Sequence, residues 1–131
     1  MLYRNPETGT ALARDFHCPS RPLSDLERVE AHCLVNTTPA GMAPNAARTP
    51  VPQKTLSRFK WVMDLVYNPL RTRLLREAEA AGCGVSTGLP MLVHQGAEQI
   101  RIWTGKEPPL DLMARVAEEE LLRRSAGRGE S

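Results

Sequence analysis

The chain is poor in what several protein classes require. Aromatic residues supply 5% of its 131 residues, two each of Phe, Trp and Tyr. Lys and Arg exceed Asp and Glu by only 17 to 15, a formal charge of +2. The basic residues do not gather with aromatics into a patch, so a nucleic-acid partner is not indicated. No apolar run reaches the roughly 18 residues that a membrane span needs, and the opening MLYRNPETG lacks the apolar centre of a signal peptide. These two absences predict a cytoplasmic protein with no membrane partner. Cysteine is scarce as well. Cys18, Cys33 and Cys83 are an odd number with no C-x-x-C pair, which argues against a disulfide framework. His17-Cys18 and His32-Cys33 offer four metal-ligand types, but adjacent residues point apart on a strand or helix and chelate poorly. No metal site is expected.

What is present, 41% hydrophobic and 24% charged residues, fits one soluble globular domain or part of one. Leu2-Tyr3 reads as the end of a strand. Asn5 is placed to cap a helix with Pro6 in its first turn and Glu7 near its positive end. That helix runs to about Phe16, with Leu12, Ala13 and Phe16 facing inward. Pro19 to Pro22 ends it, and the SDLE of Ser24–Glu27 has the form of a capping box for a short helix from Leu23 to Val29. HCLVN, residues 32–36, is a short apolar run of buried-strand type, followed to Pro52 by a broken polar loop. Thr55 to Phe59 reads as a turn or short helix. Lys60 to Tyr67 is the best strand, near-continuously apolar as expected when both faces are covered. Thr72 to Ala81 is a helix with Leu74, Leu75, Ala78 and Ala81 inward and Gly82 as its stop. Gly84 to Ser86 is a brief last strand. Strands alternating with helices predict an open, mainly parallel α/β sheet.

The next stretch, Gly88 to Gly105, organises the rest. Ser86, Thr87 and Gly88 precede Pro90, a small-residue opening suited to a helix start. Met91, Leu92, Gln95, Gln99, Ile102 and Trp103 recur at steps of three and four, which places them on one face. Gln95 and Gln99 interrupt that face with amides that either reach water at its edge or point at something polar. Pro108-Pro109 separates this helix from a last one, Leu110 to Arg124, with Leu110, Met113, Val116, Ala117 and Leu121 on one side. The residues from 126 to 131 read as a disordered tail.

Three segments carry a family resemblance: GLPMLVHQGAEQIRIWTG (88–105), LVNTTPAGM (34–42) and MDLVYNPLRTRLL (63–75). Their order and separations resemble those of shikimate dehydrogenases, and the resemblance extends from Leu2 to about Leu122. It implies an incomplete Rossmann-like sheet with flanking helices. Residues 1–105 then form a partial NADP-binding domain and 106–125 a closing C-terminal helix. The N-terminal substrate domain, the first strand and the glycine-rich turn of such an enzyme have no counterpart, so the resemblance implies a fragment or a truncated gene product. Leu2-Tyr3 and HCLVN then become strands flanking a gap, with unpaired edges.

The resemblance also implies roles. The complete enzyme transfers a hydride reversibly between NADPH and 3-dehydroshikimate, giving shikimate in aromatic amino-acid biosynthesis. Arg4 and Asn5 follow the strand whose end reads the adenosine ribose, where Arg suits the 2′-phosphate of NADP; Tyr3 departs from the Asn usual there. Asn36 and Thr37 follow a strand's C-terminal end and either line the cofactor cleft or satisfy the loop's own backbone. Leu65 matches a residue packed by the nicotinamide, and Gly88 a glycine whose backbone approaches the cofactor. Tyr67 and Gln95 match residues that contact shikimate. No catalytic residue is assigned: the Lys and Asp that move the substrate proton belong to the family's other domain, and Lys54, Lys60 and Asp64 do not match them. These residues alone are expected to be inactive. A quinate-directed variant is one alternative. Another is a non-catalytic interaction module, which pairs with itself or a partner through an open sheet edge and an orphaned last helix.

Overall fold

A computed structural model describes residues 1–126; the expected tail lies outside the described residues from 127 onward, and Ala126 closes the last helix. The chain divides into two compact units, Met1–Ala31 and the part beginning at His32.

In the first unit, β1 (Leu2–Tyr3) leads through Asn5 into α1 (Pro6–Asp15). The Asn5 carboxamide oxygen accepts from the Glu7 N–H at 2.9 Å and the Thr8 N–H at 3.4 Å, the expected cap. The inward face is narrower than expected. Gly9 and Ala13 are buried, whereas Leu12 is exposed and Phe16 is 72% exposed. Tyr3 explains part of this, because its ring lies against the α1 backbone where a side chain on Gly9 would otherwise stand. β2 (Arg21–Pro22) pairs in parallel with β1. Leu23–Arg28 follows as a 3-10 helix with Pro22 at its N-cap and no side-chain cap, so the SDLE box does not form.

The second unit is built on three parallel strands in the order β3 (Cys33–Asn36), β4 (Trp61–Asp64), β5 (Gly84–Ser86). This is the parallel α/β arrangement expected from the alternation of elements. Two expectations about its strands fail. β3 lies at the open edge of its sheet, as the resemblance implied, but its Cys33 and Val35 are exposed, against the buried-strand reading. β4 buries Val62 and Asp64 but leaves Trp61 exposed, so only one of its faces is fully covered. A 3-10 helix, Gln53–Arg58, brings Leu56 into the core. α2 (Arg73–Ala80) covers the sheet with Leu74, Leu75 and Ala78, all essentially inaccessible.

α3 (Leu89–Thr104) and α4 (Leu110–Ala126) form an antiparallel-type hairpin across a five-residue link containing Pro108 and Pro109. Gly88 occupies the N-cap of α3 without any side-chain cap, so Ser86 and Thr87 do not serve there. The buried stripe of α3 is Leu89, Val93 and Ala97, about half a turn from the face expected. Met91, Gln95 and Gln99 are exposed, and Ile102 and Trp103 are 77% and 75% exposed. Leu89 and Val93 pack with Leu121 of α4, joined by Leu70, Leu92, Leu110, Met113 and Ala117. The face of α4 expected to be orphaned is therefore covered by α3, although Val116 stays exposed.

Candidate functional site

Open parallel sheets collect ligands beyond the C-terminal ends of their strands. Here β3 ends at Asn36 and β4 at Asp64, side by side in register. Past them the chain forms two loops, and between the loops lies a cavity of about 480 Å³. Thr37, Thr38, Pro39 and Met42 line it from the first loop, and Leu65, Val66, Tyr67 and Asn68 from the second. Leu121 and Arg124 of α4 close it.

The two loops are held by a carboxylate that sequence reasoning left without a role. Asp64 has no solvent exposure. Its Oδ1 accepts from Asn36 Nδ2 at 2.9 Å and from the Val66 N–H at 3.0 Å, and its Oδ2 accepts from Thr72 Oγ1 at 2.7 Å. Three donors in three segments thus meet one buried side chain, the arrangement that makes a buried carboxyl group tolerable. Asn36 carries the network outward. Its Nδ2 also donates to the Ala40 carbonyl, and its Oδ1 accepts from the Thr38 N–H and hydroxyl at 3.0 and 2.7 Å. Thr72 in turn caps α2, its Oγ1 accepting from the Leu75 N–H. The signal was available in the sequence only as an acidic residue inside an apolar strand.

The residues predicted to bind ligands divide by place. Thr37, Leu65 and Tyr67 come together on the cavity wall. Asn36 is buried directly behind that wall, with both its donor and acceptor groups committed to the loop, one of the two readings left open. Gly88 lies against the strand end: a Cβ there would fall on the Leu65 carbonyl, so its backbone contact is made with the protein itself. Gln95 is exposed on α3 and does not line the cavity. Arg4 and Asn5 belong to the first unit, Arg4 exposed and Asn5 engaged as the α1 cap. Among the described residues no three His, Cys, Asp or Glu side chains are grouped to hold a metal. Cys83 is buried and donates to the Leu56 carbonyl, and burial raises its pKa above the ordinary thiol value.

A parallel sheet with flanking helices and a cavity at adjoining strand ends is the design of the nucleotide-binding α/β proteins. Comparison with known proteins narrows this. The family described as "Shikimate 5'-dehydrogenase C-terminal domain" matches residues 88–118. The chain is 43% identical over 130 residues to the shikimate dehydrogenase (NADP(+)) of Methanosarcina mazei, covering 92% of this chain and 46% of that protein. With the enzyme of the same description from Pyrococcus abyssi it is 50% identical over 123 residues, again 92% of this chain and 46% of the relative. The shikimate 5-dehydrogenase of Thermus thermophilus, solved in complex with NADP(H) and shikimate, superposes with a TM-score of 0.77 at 40% identity. That match covers 94% of this chain and 44% of the other. By sequence and fold the chain belongs with the C-terminal part of the shikimate dehydrogenases, and it spans about half the length of the curated relatives it matches.

Proposed function

We propose that this chain supplies the NADP-binding part of a shikimate dehydrogenase, an oxidoreductase that interconverts 3-dehydroshikimate with NADPH and shikimate with NADP+ in the cytoplasm. The observation that carries the reading is the cavity at the ends of β3 and β4, lined by Thr37, Leu65 and Tyr67, in a chain of this similarity. Its size lies within the range usual for small-molecule sites. It is suited to the nicotinamide end of a dinucleotide rather than to the whole molecule. Thr37 and Tyr67 support the fit, because neither side chain is hydrogen-bonded among the described residues. The bound nucleotide supplies the hydride. Leu65 gives the ring an apolar wall, Thr37 a hydroxyl partner, and Tyr67 a hydroxyl for the substrate; Gln95, exposed on α3 outside the cavity wall, is assigned to the substrate by its place in the family motif alone. Within the first unit, the resemblance assigns cofactor contacts to Arg4 and Asn5, and Arg4 has the charge that suits the 2′-phosphate separating NADP from NAD. Residues 1–105 act as the nucleotide-binding part and 106–125 as the closing helix.

Titration of the purified 131-residue protein with NADP+ and NAD+, followed by calorimetry, tests the cofactor assignment. Binding of NADP+ with clear preference over NAD+ is expected, and Arg4→Ala is expected to remove the preference. Equal or absent binding of both overturns it. With shikimate or quinate and NADP+, these residues alone are expected to give no rise in NADPH absorbance, because no segment matches the family's proton-transferring Lys and Asp. A substrate-dependent rise overturns that expectation, and the preferred substrate then decides between shikimate and quinate.

A second reading, an interaction module, draws support from Ile102 and Trp103, which leave an apolar surface on α3 uncovered. A defined oligomer in sedimentation without NADP+ binding favours it.

A further inference from the structure

The cavity wall contains one charged side chain, and it comes from the last turns of the chain's final helix. Arg124 lines the cavity together with Tyr67, Thr37 and Asn68, whose side chains make no hydrogen bonds among the described residues. Its guanidinium is anchored but only half used. Glu120 grips Arg123 with both oxygens, Nε to Oε2 and Nη2 to Oε1, each at 2.8 Å. Arg124 makes a single contact with the same carboxylate, Nε to Oε1 at 2.7 Å. Two guanidiniums share one carboxylate, so the cluster keeps a net positive charge. The Nη groups of Arg124 have no partner among the described residues, and a guanidinium matches carboxylate and phosphate oxygens in a two-pronged geometry.

We infer that Arg124 is a ligand-binding residue of this cavity, holding an oxyanion of the bound molecule beside Tyr67 through its free guanidinium edge. The inference rests on the reading of the cavity as the nucleotide and substrate site. Two sources carry the required chemistry, the carboxylate of shikimate and a phosphate of the dinucleotide. The single bond to Glu120 fixes the direction of the side chain before the ligand arrives, which lowers the entropy lost on binding. Apolar side chains of the wall, among them Met42, Leu65 and Val66, exclude water from one side of the contact and so strengthen it.

The test is calorimetric titration of the 131-residue protein and of its Arg124→Gln, Arg124→Lys and Arg115→Gln variants with shikimate and with NADP+ separately. Arg115 lies on the same helix and outside this cavity, so its variant removes an equal charge elsewhere. Arg124→Gln is expected to weaken one ligand about tenfold, the usual scale for losing a hydrogen bond to a charged group. Arg124→Lys recovers part of the loss and Arg115→Gln binds as the parent does. Loss confined to shikimate identifies a carboxylate, and loss confined to NADP+ a phosphate. Unchanged affinity for both ligands in Arg124→Gln, or an equal loss in Arg115→Gln, overturns the inference while the reading of the cavity stands. If the parent protein binds neither ligand, that reading fails and the inference falls with it. Because Arg124 is exposed, unchanged circular-dichroism melts are expected for its variants.

Discussion

Asp64 receives hydrogen bonds from Asn36, Val66 and Thr72, so its removal takes an acceptor from three buried donors, of which Asn36 Nδ2 keeps only the Ala40 carbonyl. Asp64→Ala is expected to cost roughly 3 kcal/mol or more, read as a fall in the urea midpoint. Asp64→Asn, which keeps the shape and one oxygen able to take the two bonds now made by Oδ1, is expected to cost clearly less. An equal loss in both would mean that packing rather than hydrogen bonding holds the loops. Gly88 sets a different constraint. A methyl group there meets the Leu65 carbonyl, and backbone cannot turn aside as a flexible side chain can. Gly88→Ala is therefore expected to destabilise by roughly 2 kcal/mol or more, with its effect in thermal melts larger than that of Gly96→Ala, where the nearest atom is the end of Met113 at an ordinary 3.5 Å. Of these two residues, Gly88 was marked in the sequence by its motif and Asp64 was not. A carboxylate inside an apolar run can be a solvated edge or a buried hub. Only the meeting of Asn36, Val66 and Thr72, brought from separate segments, decides between them.

At the scale of elements, the cap of α1 and the inward face of α2 were legible, and the buried face of α3 was not. Asn5 caps α1 as expected because the capping bond is local and needs no other part of the chain; Thr72, read as the first residue of its helix, is the cap of α2. Ser24 fails because Pro22, one residue before Leu23, already starts a tighter helix. α3 is the instructive miss: it is apolar on more than one side, so a period of 3.6 fits both the stripe through Met91 and the stripe through Leu89 and Val93. α4 chooses between them by supplying Leu121 and Met113 to one side. Leu121→Ala is accordingly expected to cost roughly 2 to 4 kcal/mol and to expose α4 to limited proteolysis before α2. Charge tunes the same helix. Glu120, bonded to Arg123 and Arg124, has its pKa lowered to about 2 from 4.5. A depressed folded-state value favours the folded helix above the unfolded pKa, and that contribution fades as pH falls from about 4.5 toward 2. The pair is exposed, so the effect is small. It is expected as an acid shoulder in helical ellipticity that Glu120→Gln abolishes.

The whole molecule is uneven. The first unit buries only Ala13 and Leu26 among its apolar side chains, while the second buries Leu56, Val62, Leu74, Leu75 and others. A two-stranded sheet with so small a core is marginal by itself. Native-state hydrogen exchange is expected to show amides of α1 opening well before those of β4 and α2. Equal protection in both units would show that they unfold as one. Within the second unit the hairpin of α3 and α4 has a property of its own. Its start is pinned where Gly88 meets the Leu65 carbonyl, its two prolines stiffen the link, and Arg101 clasps Glu107 across it at 2.9 Å. In mechanical terms this is a lever with its fulcrum at the rim of the cavity. Sixteen residues of α3 make an arm of about 24 Å, so a turn of roughly ten degrees at Gly88 sweeps the far end through about 4 Å. Motion too slight to notice at the strand ends is thereby magnified at Trp103.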